Sequence, residues 1–274
     1  MLFKNILLVI GVCLLTLFTQ VGGVVLLLSK LISKFIHPSS YSGWRKHSAK
    51  TCIFILCYAL FSFVVIPPLA KIGGRIPLPV WGNKKIKPHT LMTCLFNRHY
   101  VHQDLFRSVS KVSVRFDKQY PDSYILYLDA NFPFFDGFPL LPHLSHNDGK
   151  KLDVALFYTD AESNEMLNDA PSVIGYGVYE APKHGEENMP DRCAKQGNWQ
   201  YSFLENIIPQ GQKEHMTFDL KRTAFFIRLL TQDANIKKIF IEPHLKTRMR
   251  LKHAKIRFHG CHAVRHDDHI HFQL

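Results

Sequence analysis

The sequence predicts an α+β domain, a small antiparallel sheet with flanking helices, preceded by an N-terminal transmembrane hairpin. Two uncharged apolar runs, residues 6–28 and 52–69, precede the rest of the chain. Beyond them, short β-forming runs alternate with polar turns, and one later segment has helical periodicity. The 274 residues suffice for one membrane segment and one globular domain. We therefore expect a membrane anchor over residues 1–71, a linker over 72–90 and one domain over 91–274.

The net charge of +12 is concentrated near the N-terminus. Residues 1–103 hold 12 Lys and Arg and no acid, whereas the other 22 basic residues are matched by 22 acidic ones. An excess confined to the flanks of apolar runs is typical of membrane proteins, and it is not a basic binding face. The motifs of DNA-binding and RNA-binding domains are also missing from the sequence. We therefore expect no nucleic-acid partner.

Both apolar runs are candidate transmembrane helices. They contain 23 and 18 residues, and about 20 are needed to span a bilayer. The first is too long for the apolar part of a cleaved signal peptide. Residues 29–50 carry five Lys or Arg, so the positive-inside rule places this loop in the cytoplasm and both termini outside. Basic residues also follow the second run and weaken this assignment, so the alternative is one span plus a buried or interfacial second helix.

The elements of the domain are predicted from periodicity. Residues 91–109 favour a short helix, and residues 220–230 favour a longer one. Strands are predicted at residues 111–116, 124–128, 152–158, 237–242 and 254–258, and at the C-terminal tail. Residues 131–142, with three prolines and Gly137, form a constrained loop that leads to His143. Residues 162–200 are polar and form a long surface excursion.

The six cysteines give one structural constraint. Three lie in or beside the apolar runs, and the other three are Cys94, Cys193 and Cys261. An odd number allows at most one disulfide within this group and leaves one thiol over. No two cysteines have zinc-ligand spacing.

The C-terminal tail contains the densest group of metal-binding side chains. His266, Asp267, Asp268, His269 and His271 lie within six positions. On a β-strand, His269 and His271 project from the same face. Imidazole and carboxylate groups bind zinc, and a catalytic zinc site takes three protein ligands plus a water. The remaining ligands must therefore come from elsewhere in the chain.

The segment from His143 to Asp153 supplies the other candidates. His146 and Asp153 are seven apart, so a regular strand cannot present both on one face. Gly149 lies between them and offers a turn through which the two side chains can converge. With one tail histidine they make a shell of two nitrogens and one oxygen. Water bound to such a zinc ion titrates near pH ~7 and can attack an amide.

The pattern Ser145-His146-x-x-Gly149-x-x-x-Asp153, followed by His269-x-His271, resembles the signature of the LAS metallopeptidases. It is most similar to the penicillin-insensitive murein endopeptidases, which share the upstream histidine, the His-Asp-Asp-His-x-His order and a strand like residues 239–243. The resemblance covers about residues 124–274. One departure is that the family's Leu-Asp-Val-Asp block here reads Leu-Asp-Val-Ala, which removes a second carboxylate.

The resemblance implies a role for each motif residue. His146, Asp153 and His271 would be the zinc ligands. His269 would be the general base or would stabilise the tetrahedral intermediate, with His143 and His266 as supporting groups. Asp268 is another candidate base, but on a strand it faces away from His271, which favours His269.

The resemblance also implies a function. We expect a zinc metallopeptidase anchored in the bacterial inner membrane, with a periplasmic catalytic domain that hydrolyses an amide bond in the peptide moiety of peptidoglycan. The activity would be that of a DD- or LD-endopeptidase or a carboxypeptidase. The alternative is a zinc-stabilised binding or scaffold domain without catalysis, which would have no need of His266 and His269 beside the ligands. A cytoplasmic catalytic domain would follow from the opposite topology.

Overall fold

A computed structural model describes residues 2–36, 43–83 and 85–274. The helices of the described chain are α1 Leu2–Thr19, α2 Gly22–Ile36, α3 Gly43–Leu60, α4 Ile66–Ile72, α5 Leu91–Leu95, α6 Gln103–Gln119, α7 Met189–Lys195, α8 Leu220–Gln232 and α9 Pro243–Arg248. The strands are β1 Arg75–Pro77, β2 Ile86–Pro88, β3 Tyr100–His102, β4 Ile125–Tyr127, β5 Lys151–Ala155, β6 Tyr158–Asp160, β7 Met166–Leu167, β8 Met216–Phe218, β9 Lys238–Phe240, β10 Ile256–Arg257 and β11 His269–Gln273. The predicted α+β class is confirmed.

The chain divides into two compact units. The first, the helical unit, comprises the described residues of Met1–Pro77, Met92–His102 and Asn131–Gly149. The second, the sheet unit, comprises Leu78–Leu91, Gln103–Ala130 and Lys150–Leu274.

Two helical stretches of the helical unit are long and apolar enough to cross a membrane. They are Leu2–Thr19, with 18 residues, and Gly43–Ile72, with 30. The second stretch joins α3 to α4 through one π-helical turn, Phe61–Val65, and includes the span predicted over residues 52–69. Membrane association is therefore consistent with the lengths and compositions of these helices.

The single helix predicted over residues 6–28 is wrong, because the chain reverses at Gln20. Gln20 has a left-handed φ of 66°, and Thr19 caps the following helix by accepting a hydrogen bond from the Gly22 amide at 2.8 Å. A Cβ on Gly23 would lie 2.7 Å from the Val12 carbonyl oxygen. The two glycines thus let α2 pack closely against α1 as an antiparallel hairpin.

The sheet unit is built on a six-stranded sheet in the order β10-β9-β11-β5-β4-β2. Its centre is antiparallel, as predicted, whereas the outer pairs β10-β9 and β2-β4 are parallel. Each parallel pair is joined through a chain segment that contains a helix, α9 or α6, as parallel neighbours require a crossover. β2 lies within the predicted linker, so residues 72–90 contribute an edge strand. A smaller sheet has the order β7-β6-β8.

The strand predicted over residues 111–116 is wrong, because these residues lie in α6. Six alternating residues fit a strand, but the longer window has a helical pattern. Leu105, Val109, Val112 and Phe116 recur every three or four residues and are at most 2% exposed. The strands predicted around residues 125, 153, 239, 256 and 270 and the helix predicted over residues 220–230 are confirmed.

An aromatic cluster joins α6 and α8 to one face of the large sheet. The ring of Phe116 lies 5.5 Å from that of Phe226, and the Phe226 ring lies 6.3 Å from that of Phe272 on β11. Phe157 contacts both Phe116 and Phe226. Successive side chains of β11 point to opposite faces of the sheet. Ile270 and Phe272 therefore share the face that the helices cover, and His269 and His271 project from the other face.

A disulfide links Cys193 of α7 to Cys261 across a sequence separation of 68 residues. It matches the single pair that the cysteine count allows, and it leaves buried Cys94 outside the bond. Met189, Tyr201 and Phe258 pack around the bridge. The bond therefore ties the excursion after residue 162 to the segment that precedes the histidine-rich tail.

We expect Cys193→Ala to lower the free energy of unfolding of the sheet unit by about 4 kcal/mol. A closed loop of this length removes that much conformational freedom from the unfolded chain. Thermal unfolding of the full chain in detergent, followed by near-ultraviolet circular dichroism, measures the change. Reductant should lower the midpoint of the parent protein but not that of the variant. Equal midpoints for variant and parent would contradict the prediction.

Candidate metal centre

The register between β5 and β11 places Asp153 directly opposite His271. The neighbouring pairs are Leu152 with Phe272 and Val154 with Ile270, so Asp153 and His271 share the face opposite the helices. His271 Nδ1 lies 2.8 Å from Asp153 Oδ1. Both residues are at most 4% exposed.

His146 completes a group of three ligands. One nitrogen of His146, one carboxylate oxygen of Asp153 and one nitrogen of His271 all lie within 4.8 Å of one another, and all three residues are buried. Two imidazoles and one carboxylate are a normal donor set for a divalent transition metal. The three residues that the sequence predicts as zinc ligands therefore form a group that could bind a metal ion.

Tyr176 supports the carboxylate of this group. Its hydroxyl donates to Asp153 Oδ2 at 2.9 Å, which leaves Oδ1 on the side of His271. Ala155 lies opposite His269 in the register and packs in one cluster with Tyr176. The phenol of Tyr176 therefore supplies a hydrogen bond to Asp153 from beside the small Ala155.

Sequence reasoning missed Tyr176, although its neighbours carry a signal. Gly175 and Gly177 have φ values of 80° and 84°, a conformation that other residues rarely adopt. A Cβ on Gly175 would lie 2.2 Å from Leu128. The position of Tyr176 therefore depends on a glycine at each side. An aromatic residue between two glycines in a polar segment is the signal that the sequence carries.

Asp268 and His269 form a hydrogen-bonded pair beside the ligands. Asp268 Oδ1 pairs with His269 Nδ1, and Asp268 Oδ2 accepts from the Gly177 amide at 2.7 Å. His269 Nε2 lies 3.8 Å from Asp153 Oδ1, and its ring packs edge-on against Tyr176. Burial lowers the pKa of His269, but the charges of Asp268 and Asp153 outweigh burial and raise it to about 9.

His266 also contributes its ring to this face, 4.9 Å from the His269 ring and 5.7 Å from the His271 ring. Burial, together with these neighbouring imidazoles, lowers the pKa of His266 well below its usual value. Its backbone exchanges hydrogen bonds with Glu242, whose side chain accepts from the His266 amide at 3.2 Å. His266 is therefore a buried, neutral ring next to the candidate ligands.

Two further histidines, His143 and His259, lie next to residues of this group. His143 is buried, and its ring lies 5.7 Å from that of His146. His259 is exposed, yet its ring lies parallel to the His271 ring at 6.3 Å and edge-on to the His266 ring at 5.3 Å. The spacing of His259 from the other histidines matches no ligand pattern, because its position depends on Phe240, against which it packs at 4.2 Å.

The other charged tail residues hold the turn in place. Arg265 donates to both oxygens of Asp267 at 2.9 and 2.6 Å, and its guanidinium lies 3.8 Å from the Tyr179 ring centroid. Arg265 and Asp267 are both almost fully buried. A bidentate pair of this kind fixes backbone geometry. The tail thus divides into an ion pair that shapes the turn and three histidine rings that face the candidate metal centre.

No protein-family model matches the chain, and no curated protein matches it.

Proposed function

We propose that the chain is a membrane-anchored zinc metallopeptidase of the LAS type that hydrolyses an amide bond in the peptide moiety of bacterial peptidoglycan. The observation that carries the proposal is the buried group of His146, Asp153 and His271 with the Asp268–His269 pair beside it. A purely structural zinc site would have four protein ligands and no hydrogen-bonded histidine beside them. The substrate class follows from the family that the motifs resemble.

His146, Asp153 and His271 would hold the ion. A bound divalent ion supplies Lewis-acid polarisation of the amide carbonyl and lowers the pKa of a coordinated water. Tyr176 orients the Asp153 carboxylate through its 2.9 Å hydrogen bond. Such supporting hydrogen bonds tune ligand basicity and hold the ligand in its binding orientation.

His269 is the proposed proton-transfer group. Asp268 fixes the ring through Nδ1, so Nε2 remains on the side of Asp153. A divalent ion bound at Asp153 would offset the negative charge that raises the pKa of His269, so that the ring could accept a proton at Nε2 during attack and return it to the leaving amine. His266, neutral and buried, can donate or accept a hydrogen bond at the substrate carbonyl. These roles agree with those that the sequence motif implies.

We also propose that the sheet unit lies outside the cytoplasm. The Cys193–Cys261 disulfide favours an oxidising compartment such as the bacterial periplasm. Lys30 and Lys34 lie near the end of α2, and Arg45, Lys46 and Lys50 lie near the start of α3. The positive-inside rule assigns this end of the helices to the cytoplasm. Because the chain reverses at Gln20, this assignment places the N-terminus inside, which replaces the expectation that both termini lie outside. The C-terminal end of α4 then lies on the outer side of the membrane.

Digestion of crosslinked peptidoglycan by the purified full chain in detergent tests the proposal. We expect release of uncrosslinked peptides, complete inhibition by a chelator, and recovery when Zn²⁺ is added back. Mass spectrometry of the products identifies the bond that is cut. Bound zinc without cleavage of muropeptides of several stem lengths would instead favour the non-catalytic binding domain.

A further inference from the structure

The loop that carries His143 and His146 belongs to the helical unit. Residues 131–149 fall in this unit together with the apolar helices. Asn131 and Tyr100 exchange two backbone hydrogen bonds of 3.0 Å, and Asn131 Oδ1 accepts from the Gly149 amide at 3.0 Å. The His102 amide donates to the Gly149 carbonyl. The base of the loop is thus closed, and its two ends are bonded to each other and to β3.

The reversal between α1 and α2 contacts the same loop. Gln20 Oε1 accepts a hydrogen bond from the Phe134 amide at 2.8 Å, and Gln20 is 5% exposed. The Phe134 ring packs against a buried cluster that consists of Ile66, Ala70 and Tyr100, together with Val21 and Phe61. Four of these five residues belong to the helical hairpin or to the helical stretch Gly43–Ile72. Phe134 therefore fastens the loop to the apolar helices by both its backbone and its ring.

Arg75 makes a second set of contacts with the loop. It lies three residues after the end of α4 and is 3% exposed. Its Nη1 donates to the Phe132 carbonyl at 2.5 Å, and its Nη2 pairs with Asp136. A Cβ on Gly149 would lie 3.1 Å from Arg75 Nε. One guanidinium thus contacts the loop near its start and near its end.

A flexible tether between the apolar helices and the sheet unit would not require these contacts. A flexible membrane anchor needs only length and solubility between the helix and the domain. Here a buried glutamine in an uncommon left-handed conformation and a buried arginine both bond to the backbone of one loop. That loop carries one of the three candidate metal ligands.

We propose that the apolar helices position the His146 loop for metal binding, with Gln20, Phe134 and Arg75 as the positioning residues. The proposal rests on the proposed metal centre and adds that the affinity of this centre for zinc depends on the apolar helices. Groups that orient a ligand without touching the metal change affinity by about 10-fold to 100-fold. We expect losses of this size when the attachments are removed.

Two variants of the full chain in detergent test the proposal. Arg75→Met removes the donors to Phe132 and Asp136. Gln20→Asn keeps a residue that tolerates a left-handed φ, but its side chain is one carbon too short to reach the Phe134 amide. Zinc affinity is measured by competition with a chromophoric chelator. We expect each variant to bind zinc about 10-fold to 100-fold more weakly, and Arg75→Lys, which keeps the charge, to lose less than Arg75→Met.

Matched controls separate positioning from general damage. Arg107→Met removes an exposed arginine that pairs with Asp104, and Ser29→Ala removes a buried hydroxyl that bonds only within α2 among the contacts described. Both should bind zinc like the parent protein. Melting temperatures of all variants establish that they are folded. Parent-like affinity in both Arg75→Met and Gln20→Asn would overturn the inference, whereas a parent protein that binds no zinc would overturn the metal centre itself.

A measurement on the parent protein does not depend on any variant. If the helices position the loop, the amides of Phe134 and Gly149 should be protected from hydrogen exchange before zinc is added. Zinc should then increase protection mainly around His146. Rapid exchange across residues 131–149 in the metal-free chain, with protection appearing only when zinc binds, would show that the metal orders the loop and would overturn the inference.

Discussion

Replacing Asp153 by alanine should abolish zinc binding and reduce amide hydrolysis to background. Asp153 supplies the only oxygen among the three candidate ligands, and the two imidazoles that remain cannot complete a catalytic site. Loss of a supporting group alone costs about 10-fold to 100-fold in affinity, so loss of a ligand should exceed that range. Zinc content after gel filtration and the rate of peptide release measure the two effects.

The control for this variant is Asp160→Ala. Asp160 lies seven residues later, and its Oδ1 accepts hydrogen bonds from Glu162 and Ser163 in a local exposed turn. This variant should keep its zinc and its activity. If Asp153→Ala also retains one zinc per chain, Asp153 is not a ligand and the proposed metal centre is wrong. Retained activity in a zinc-free Asp153→Ala protein would exclude metal-dependent hydrolysis.

The sequence predicted the members of this site better than their arrangement. Alternation along the tail correctly placed His269 and His271 on one face of a strand, and Gly149 has the positive φ of 76° that a turn between His146 and Asp153 requires. The pairing of Asp153 with His271 spans 118 residues. Such a register depends on how distant strands meet, and no local pattern encodes it.

The supporting residues were harder to predict, because each acts through a contact between remote segments. Tyr176 reaches Asp153 across 23 residues, from a segment that reads only as a polar excursion. The sequence makes Asp268 a candidate base, but in the structure its oxygens bond to His269 and to the Gly177 amide. The hydrogen bond from Tyr176 to Asp153 and the one from Gly177 to Asp268 both depend on the backbone path of residues 175–177. Gly175 and Gly177 set this path by packing against Leu128 and Ile208.

The errors in the fold have similar causes. Six alternating residues within α6 satisfy the period of a strand, and only a window of twelve or more residues shows the helical face. Hydropathy likewise joined residues 6–28 into one helix, since it measures composition and not direction. The reversal at Gln20 depends on a tertiary partner, the Phe134 amide, and on glycines that permit close helix packing.

Replacing His269 by glutamine should separate metal binding from catalysis. Glutamine keeps a polar side chain of similar reach, but it cannot transfer a proton near neutral pH. Because His269 is not among the three candidate ligands, the variant should retain a full complement of zinc. General acid–base catalysis contributes about 10²-fold to 10⁴-fold, so kcat should fall within this range. KM should change little, since the loss concerns mainly the transition state.

The exposed His262 provides the control, because it lies near the tail but outside this group of rings. His262→Gln should change neither zinc content nor kcat. Loss of zinc from His269→Gln would make His269 a fourth ligand, and the closed site that results would favour a structural role. Unchanged kcat with zinc retained would exclude His269 as the proton-transfer group. A low kcat with full zinc is the outcome that only a catalytic site explains, because a binding domain needs the metal but has no use for the Asp268–His269 pair.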